Sequence, residues 1–431
     1  MLNKNGEREL CYVVKVDDIQ PIQGRDKVEC AVIGGWTCMV RKGQFNKGDL
    51  GIYFEIDSKV DTSKDVFKFT EKYNGKIKTQ KFSIKDEDGN KVGQFWSQGL
   101  LMSAKDFGWE LIHIEGGKSF IARPSKEDKR ITSTIDNLYE GDFLTKELGV
   151  TYAEVEDNKR KFNKQNKDAK YQRMMNRNPK LAKSKFGRWC MKYSLTKKIL
   201  YFILGGDKKN GIRKFPEHIN ITDEERYQNL SQELYDSYCK EPFIMTEKID
   251  GSSGTFAMKG RGKNRQYWVC SRTVVKDIKD PKGGYYDENI WAEVNEKYNL
   301  QNVCSQIIDE DATLDFVTIQ GEVFGKKVQK REYGLSDRDL RVFNVIFGYT
   351  DGTQKRLNPI DGKVFMKKYN IPFVPVLGEI MLPSDRNELQ NICSGKSLID
   401  GKEREGIVFR SLDGKKSFKA VDNEFLVKYH G

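Results

Sequence analysis

Histidine is scarce in this chain, with three residues in 431, and the eight cysteines at positions 11, 30, 38, 190, 239, 270, 304 and 393 never form a Cys-x-x-Cys pair. Together these absences exclude the common zinc-ligand spacings. Thiols scattered in this way read as free, in a reducing cytoplasm. Long apolar runs are missing too: none approaches 18 residues, so no membrane span is expected. Ile199 to Leu204 is too short to cross and reads as a core-facing helix segment, and Met1 to Glu7 lacks the apolar stretch of a secretory leader.

The charge is unevenly placed. Nineteen Lys and Arg fall between Lys159 and Lys214 against two acids, Asp168 and Asp207, whereas the whole chain is only +12. The remainder is therefore net acidic, and the basic balance belongs to one segment. Such a block suits a polyanion, with a solvated spacer between domains as the plainer reading.

The chemistry concentrates further on. An apolar strand, Phe243 to Glu247, runs into Lys248-Ile249-Asp250-Gly251, a tight Asp-Gly turn, and a second strand follows. A lysine at the lip of such a turn can be aimed into a pocket and attack phosphorus. The residues after it arrive strand by strand: Ser271-Arg272, then Gly321-Glu322 in Ile319 to Gly325, Phe343 in Arg341 to Val345, Glu405 in Arg404 to Arg410, and Lys419 in Ser417 to Val421.

Lysine, arginine, glutamate, aromatic, glutamate and lysine in that order resemble the ATP-dependent RNA ligases of the polynucleotide ligase and capping-enzyme superfamily. Asp18 to Glu29, Gly48 to Ser58, Gln98 to Leu101, Glu140 to Asp142 and Thr222 to Asn229 extend the likeness to RNA ligases with an N-terminal OB domain, the Deinococcus and Naegleria type. It covers nearly the whole chain except roughly residues 155–214.

The resemblance implies ATP as substrate and Mg²⁺ (or Mn²⁺) as cofactor. Lys248 would be the nucleophile, forming lysyl–AMP. Asp250, Glu322 and Glu405 would act on the metal through its water shell, with Gly251 in the same turn. Glu322 would also reach the ribose. Glu247 would read the adenine amino group, Phe343 stack on the base, and Arg272 hold ribose or phosphate. Lys419 would neutralise the α-phosphate and, with any metal, favour the neutral amine of Lys248. Arg226 would contact the ATP tail. Each has a plainer reading: a turn or strand residue, a core aromatic, a surface arginine. Many relatives carry Lys-x-Lys at the last motif, whereas Ser417 and Val421 flank Lys419 here; Lys416 and Lys428 are candidates for the second lysine.

The fold expected is α+β: an OB-like β-barrel over 1–152, a basic connector over 153–214, and a nucleotidyltransferase domain of antiparallel sheets with flanking helices over 215–431. Val28 to Ile33 and Trp36 to Arg41 read as strands around a Gly34-Gly35 turn, Phe186 to Leu204 as one helix, and Tyr286 to Tyr298 as another. The nucleotide pocket is expected to lie wholly in the last domain. The function implied is joining of 3′-hydroxyl and 5′-phosphate RNA ends, at a nick or a break, by a cytoplasmic monomer. DNA ligases and capping enzymes usually carry the OB domain after the catalytic one, and here only Asp422 to Gly431 follows the last motif. A non-catalytic RNA-binding protein on a ligase-like fold would use the same OB domain and basic tract; the intact Lys248, Glu322 and Glu405 argue against it.

Overall fold

The computed structural model describes residues 1, 8–86, 88–114, 118–124, 135–152, 181, 184–203, 215–278 and 288–430. Most of the basic connector, residues 153–180 and 204–214, lies outside them, as does Tyr286. All eight cysteines are free, and seven are buried. Among the described residues no helix is long and apolar enough to cross a membrane.

The N-terminal part is built from small antiparallel sheets. Leu50–Phe54 lies between Cys11–Lys15 and Leu100–Ser103, and Val28–Ile33 between Asp18–Pro21 and Trp36–Arg41. Their apolar side chains fill two cores, one around Ile52, Phe54 and Phe67, the other around Tyr12, Trp36 and Tyr53. Gln80–Lys85 and Lys91–Ser97 pair as an antiparallel hairpin.

The C-terminal part is two antiparallel sheets. One orders its strands as Val376–Met381, Pro242–Lys248, Gly406–Ser411, Ser417–Val421. The other runs Val275–Lys276, Gln266–Cys270, Ser252–Lys259, Leu314–Gly325, Arg338–Tyr349, Gln354–Arg356. The helices Ile290–Lys297 and Leu300–Glu310 close the second sheet's outer face with Trp291, Val294, Cys304 and Ile308. Side-chain caps set several helix starts: Ser231 accepts from Leu234 N, Asn289 from Ala292 N, and Asn358 precedes Pro359 in the first turn.

Two expectations are corrected. The single helix over Phe186 to Leu204 is two, Lys185–Cys190 and Ser194–Ile203. The Thr196 hydroxyl donates to the Cys190 carbonyl at 2.7 Å, replacing the backbone partner a continuous helix would supply. The Asp250-Gly251 turn does not fold its two strands onto each other. Pro242–Lys248 belongs to one sheet and Ser252–Lys259 to the other, so the chain changes sheets there. The change requires glycine, because a Cβ on Gly251 would stand 2.4 Å from the Val323 carbonyl oxygen and 2.9 Å from Glu322 Cγ.

The two parts meet along Thr222 to Asn229. Asn229 Nδ2 donates to Glu55 Oε1 at 2.8 Å, and its Oδ1 accepts from Trp36 Nε1 at 2.7 Å. Gly35 N donates to the Gln228 carbonyl at 3.1 Å, and a Cβ on Gly35 would lie 2.6 Å from Gln228 Cα. The Gly34-Gly35 turn is thus a landing place for the second domain. Glu55 is fully buried. Burial alone would raise its pKa, but Arg8, the Met1 amine and Arg226 outweigh it and bring the carboxyl from 4.5 to about 2.

A carboxylate held below its ordinary value stabilises the fold fully above the ordinary value and loses that contribution as pH falls toward the depressed one. Stability is therefore expected to drop between pH 4.5 and about 2, with Glu55 contributing roughly 3 kcal/mol of the change. Urea titrations across that range check this: Glu55→Gln should be less stable at pH 7 and show a flatter acid limb.

Candidate active site

Lys248 ends its strand opposite Gly406, which places the preceding residue, Glu405, beside it. Lys248 Nζ lies 2.6 Å from Glu405 Oε1. From the other sheet Glu322, paired in register with Ser253, faces the same space. Withdrawal from water works to lower the pKa of Lys248, but Glu405, then Glu322 and Asp250, outweigh it and hold the ammonium above its usual range. The sequence-based expectation of a lysine shifted toward its neutral form is corrected for this arrangement: carboxylates, not cations, dominate its surroundings.

The acid excess shows on Glu322. Loss of water, with Glu405 and Asp250 adding negative charge, pushes its carboxyl up to about 8 despite the opposing pull of Lys248 and Arg272. Asp250 Oδ2 and Glu405 Oε2 are buried with no hydrogen-bond partner among the described residues. Two orphaned carboxylate oxygens and a third carboxyl that is mostly protonated at neutral pH are what a cation site presents. Among the described residues no three His, Cys, Asp or Glu side chains come together tightly enough to cage an ion directly. The donors fit a hydrated divalent cation held through its water shell.

The other candidates stand on, or just after, strands of the same two sheets. Glu247 is buried; its Oε2 accepts from Leu398 N at 2.8 Å while its Oε1 has no partner. Phe343 is half-buried against Ile249, Phe324 and Tyr333. Arg272 lies at the cleft's exposed edge, close enough for its charge to reach both Glu322 and Asp223. Lys419 Nζ lies 2.8 Å from Asp223 Oδ1. Burial, then Arg8, Arg226 and Lys248, bring the Lys419 pKa down to about 8 against the pull of Asp223.

Arg226 sits next to Lys419 through a backbone bridge, yet its guanidinium is turned to the N-terminal domain, 3.1 Å from Asp57 Oδ2 and above the Trp36 ring. Neither candidate for the second lysine joins the cluster: Lys416 pairs with Glu241 and Lys428 with Glu403. Arg8 takes up that neighbourhood instead, 2.8 Å from Glu55 Oε2 and 3.6 Å from Asp223 Oδ2. His430 is a further addition, 3.3 Å from Asp250 Oδ1. Asp57, Arg8 and Glu55 therefore bring the N-terminal domain up to the wall of a pocket expected to be complete without it. No local sequence signal marks Arg8 or His430; both reach the site only through the fold.

Residues 241–430 match the RNA ligase family model, and residues 10–104 match an OB-fold domain. No curated protein matches by sequence. Among solved structures the chain is similar to Naegleria gruberi RNA ligase with PPi, at 22% identity and a TM-score of 0.64 over 98% of this chain and 99% of that one. A variant of the same Naegleria gruberi enzyme with AMP and Mn superposes at 23% identity and a TM-score of 0.64, again over 98% and 99%. Another variant, with ATP and Mn, gives 24%, 0.62, and 98% of both chains. At these identities the likeness is one of fold.

With its carboxyl at about 8, Glu322 carries a proton at pH 7. A cation entering the cleft should expel it. Calorimetric titration of the full chain with MgCl₂, in buffers of different ionisation enthalpy, should register release of nearly one proton at pH 7 and much less at pH 9. Glu322→Gln should abolish the release.

Proposed function

We propose, for a chain whose residues 241–430 match the RNA ligase family model and whose residues 10–104 match an OB-fold domain, that Lys248 is the nucleophile of an ATP-dependent RNA ligase joining 3′-hydroxyl and 5′-phosphate ends. One observation carries this reading: Lys248 Nζ stands 2.6 Å from Glu405 where the chain changes sheets, with Glu322 facing it from the second sheet.

The reaction begins with transfer of the Lys248 proton. Glu405 Oε1, already hydrogen bonded to Nζ, is placed to receive it. The free amine then attacks the α-phosphorus of ATP; an N–P bond forms, the P–O bond to the β-phosphate breaks, and pyrophosphate leaves. Lys419, at the end of its Asp223 contact, supplies positive charge where the pentavalent phosphorus gathers negative charge. Glu247 Oε1, a buried acceptor without a partner, suits the amino group of adenine, and the Phe343 ring suits its face. Mg²⁺ or Mn²⁺, held through water by Asp250, Glu322 and Glu405, would offset the charge of the triphosphate and of the carboxylates that keep Lys248 protonated.

A 5′-phosphate oxygen of the RNA next displaces Lys248 from the AMP phosphorus, and the amine recovers its proton. The 3′-hydroxyl of the adjoining end then attacks the activated 5′-phosphate, forming the phosphodiester and releasing AMP. The Naegleria gruberi structures with ATP or AMP and Mn support the choice of nucleotide and metal. The OB-fold domain supports a nucleic-acid substrate.

Incubated with α-³²P-ATP and Mg²⁺, the wild-type chain should acquire label on Lys248. Lys248→Ala should acquire none, nor should Lys248→Arg, whose guanidinium stays protonated. Glu405→Ala should lose roughly two orders of magnitude or more in labelling rate. Label appearing on another lysine of Lys248→Ala would overturn the assignment, and an unlabelled wild type would favour the non-catalytic alternative. A nick with ribonucleotides on its 3′-hydroxyl side should be sealed and an all-DNA nick should not, since the 2′-hydroxyl is the group that separates the two; equal rates would make the enzyme a DNA ligase.

A further inference from the structure

The short helix Lys185–Cys190 presents three unlike faces. One is satisfied: Gly187 and Cys190 are buried, with Cys190 packed against Leu200 of the next helix and against Leu181 and Met191. A helix this size normally turns polar side chains to water on its remaining surface. Here Phe186 and Trp189 stand out instead, 61% and 51% exposed, joined by Tyr193 in the turn just beyond the helix, 55% exposed. Their spacing puts them on one stripe, and they touch: the Phe186 and Trp189 rings are nearly parallel (26°) with centroids 6.3 Å apart, and Tyr193 meets Trp189 edge-on at 5.8 Å.

A second stripe runs beside the first. Lys185 and Arg188 stand about a quarter turn away on the helix, with Lys192 in the turn that follows, and all three are exposed. No acid occurs between Asp168 and Asp207, so nothing in the local sequence neutralises them.

We propose that these two stripes form a binding platform for unpaired RNA, with bases stacking on Phe186, Trp189 and Tyr193 and phosphates pairing with Lys185, Arg188 and Lys192. A single strand carries π-faces along one side and charge along the other, which is the order the helix offers. Single-strand binders combine these same two elements. A helix lying in a membrane surface would set its cations opposite its apolar face, and here the opposite face is already packed. The platform rests on the ligase reading for the identity of the polymer. It lies in the segment that joins the two domains, outside the nucleotide cleft, and so adds a contact to RNA flanking the reacting ends.

The test uses the full chain and a fluorescein-labelled 12-nucleotide oligo(U), read by anisotropy over a salt series, with α-³²P-ATP labelling of Lys248 measured in parallel. Trp189→Ala should weaken RNA binding by about tenfold or more, as loss of one stacked base does. Trp189→Leu, which keeps an apolar side chain but no ring, should be nearly as weak. Lys185→Gln with Arg188→Gln and Lys192→Gln should flatten the log affinity–log salt slope by about two units, at ~0.7 per phosphate. Labelling of Lys248 should be unchanged in every variant. Wild-type affinity and slope in these proteins would overturn the proposal. So would loss of self-association, or of binding to phosphatidylserine vesicles, in place of RNA binding; either would assign the patch to a protein contact or a membrane. A wild type that binds RNA through Trp189 yet acquires no label would keep the platform and remove the ligase reading.

Discussion

Around Lys248 the fold gathers more acid than base. Asp250, Glu322 and Glu405 crowd one ammonium, and the pocket answers by keeping the lysine charged and leaving Glu322 protonated. Carboxylates drawn together out of water cannot all ionise without cations to match. The arrangement is therefore incomplete by charge. It favours whatever brings positive charge, and it holds the amine in its unreactive form until that charge arrives. On the ligase reading, one imbalance accounts for both metal affinity and restraint of the nucleophile.

The same balance extends into the N-terminal domain. Lys419 is tied to Asp223, Asp223 reaches Arg8, and Arg8 is tied to Glu55; in parallel, Arg226 beside Lys419 is tied to Asp57. Lys419 and Arg226 thus rest on carboxylates that belong partly to the other domain. Buried ion pairs of this kind contribute little net stability, but removing one partner is costly. The seam is consequently specific: Asn229, Trp36 and Glu55 satisfy one another, and a substitution at any of them strands a buried polar group.

Much of this was legible from the chain. Val28–Ile33 and Trp36–Arg41 read directly because alternating apolar residues flank a glycine pair. The helix Leu300–Glu310 did not. It begins at Asn299, a residue in the left-handed region without a side-chain cap, directly after another helix. The motif residues Lys248, Glu322 and Glu405 could be named in advance because each sits at or beside a strand near a glycine, Gly251 three positions after Lys248, Gly321 before Glu322 and Gly406 after Glu405, and they do converge. Arg8 and His430 could not, since nothing local distinguishes an arginine or histidine that only long-range packing brings to the cleft. The sign of the field at Lys248 was likewise hidden: strand order gives which groups meet, whereas the tally of charge at a point needs distances.

The crossing at Ile249 to Gly251 divides the site between two bodies. Lys248, Glu405 and Lys419 ride on one sheet, while Glu322 and Phe343 ride on the other. On the ligase reading, a breathing motion that parts the sheets would leave Lys248 with Glu405, Lys419 and Glu247 while carrying away Glu322 and the Phe343 ring. The three residues of the crossing would then act as a hinge pin. Opening would then loosen the ribose contact and the face of the base first, and a cleft able to exchange products need never uncouple Lys248 from Glu405.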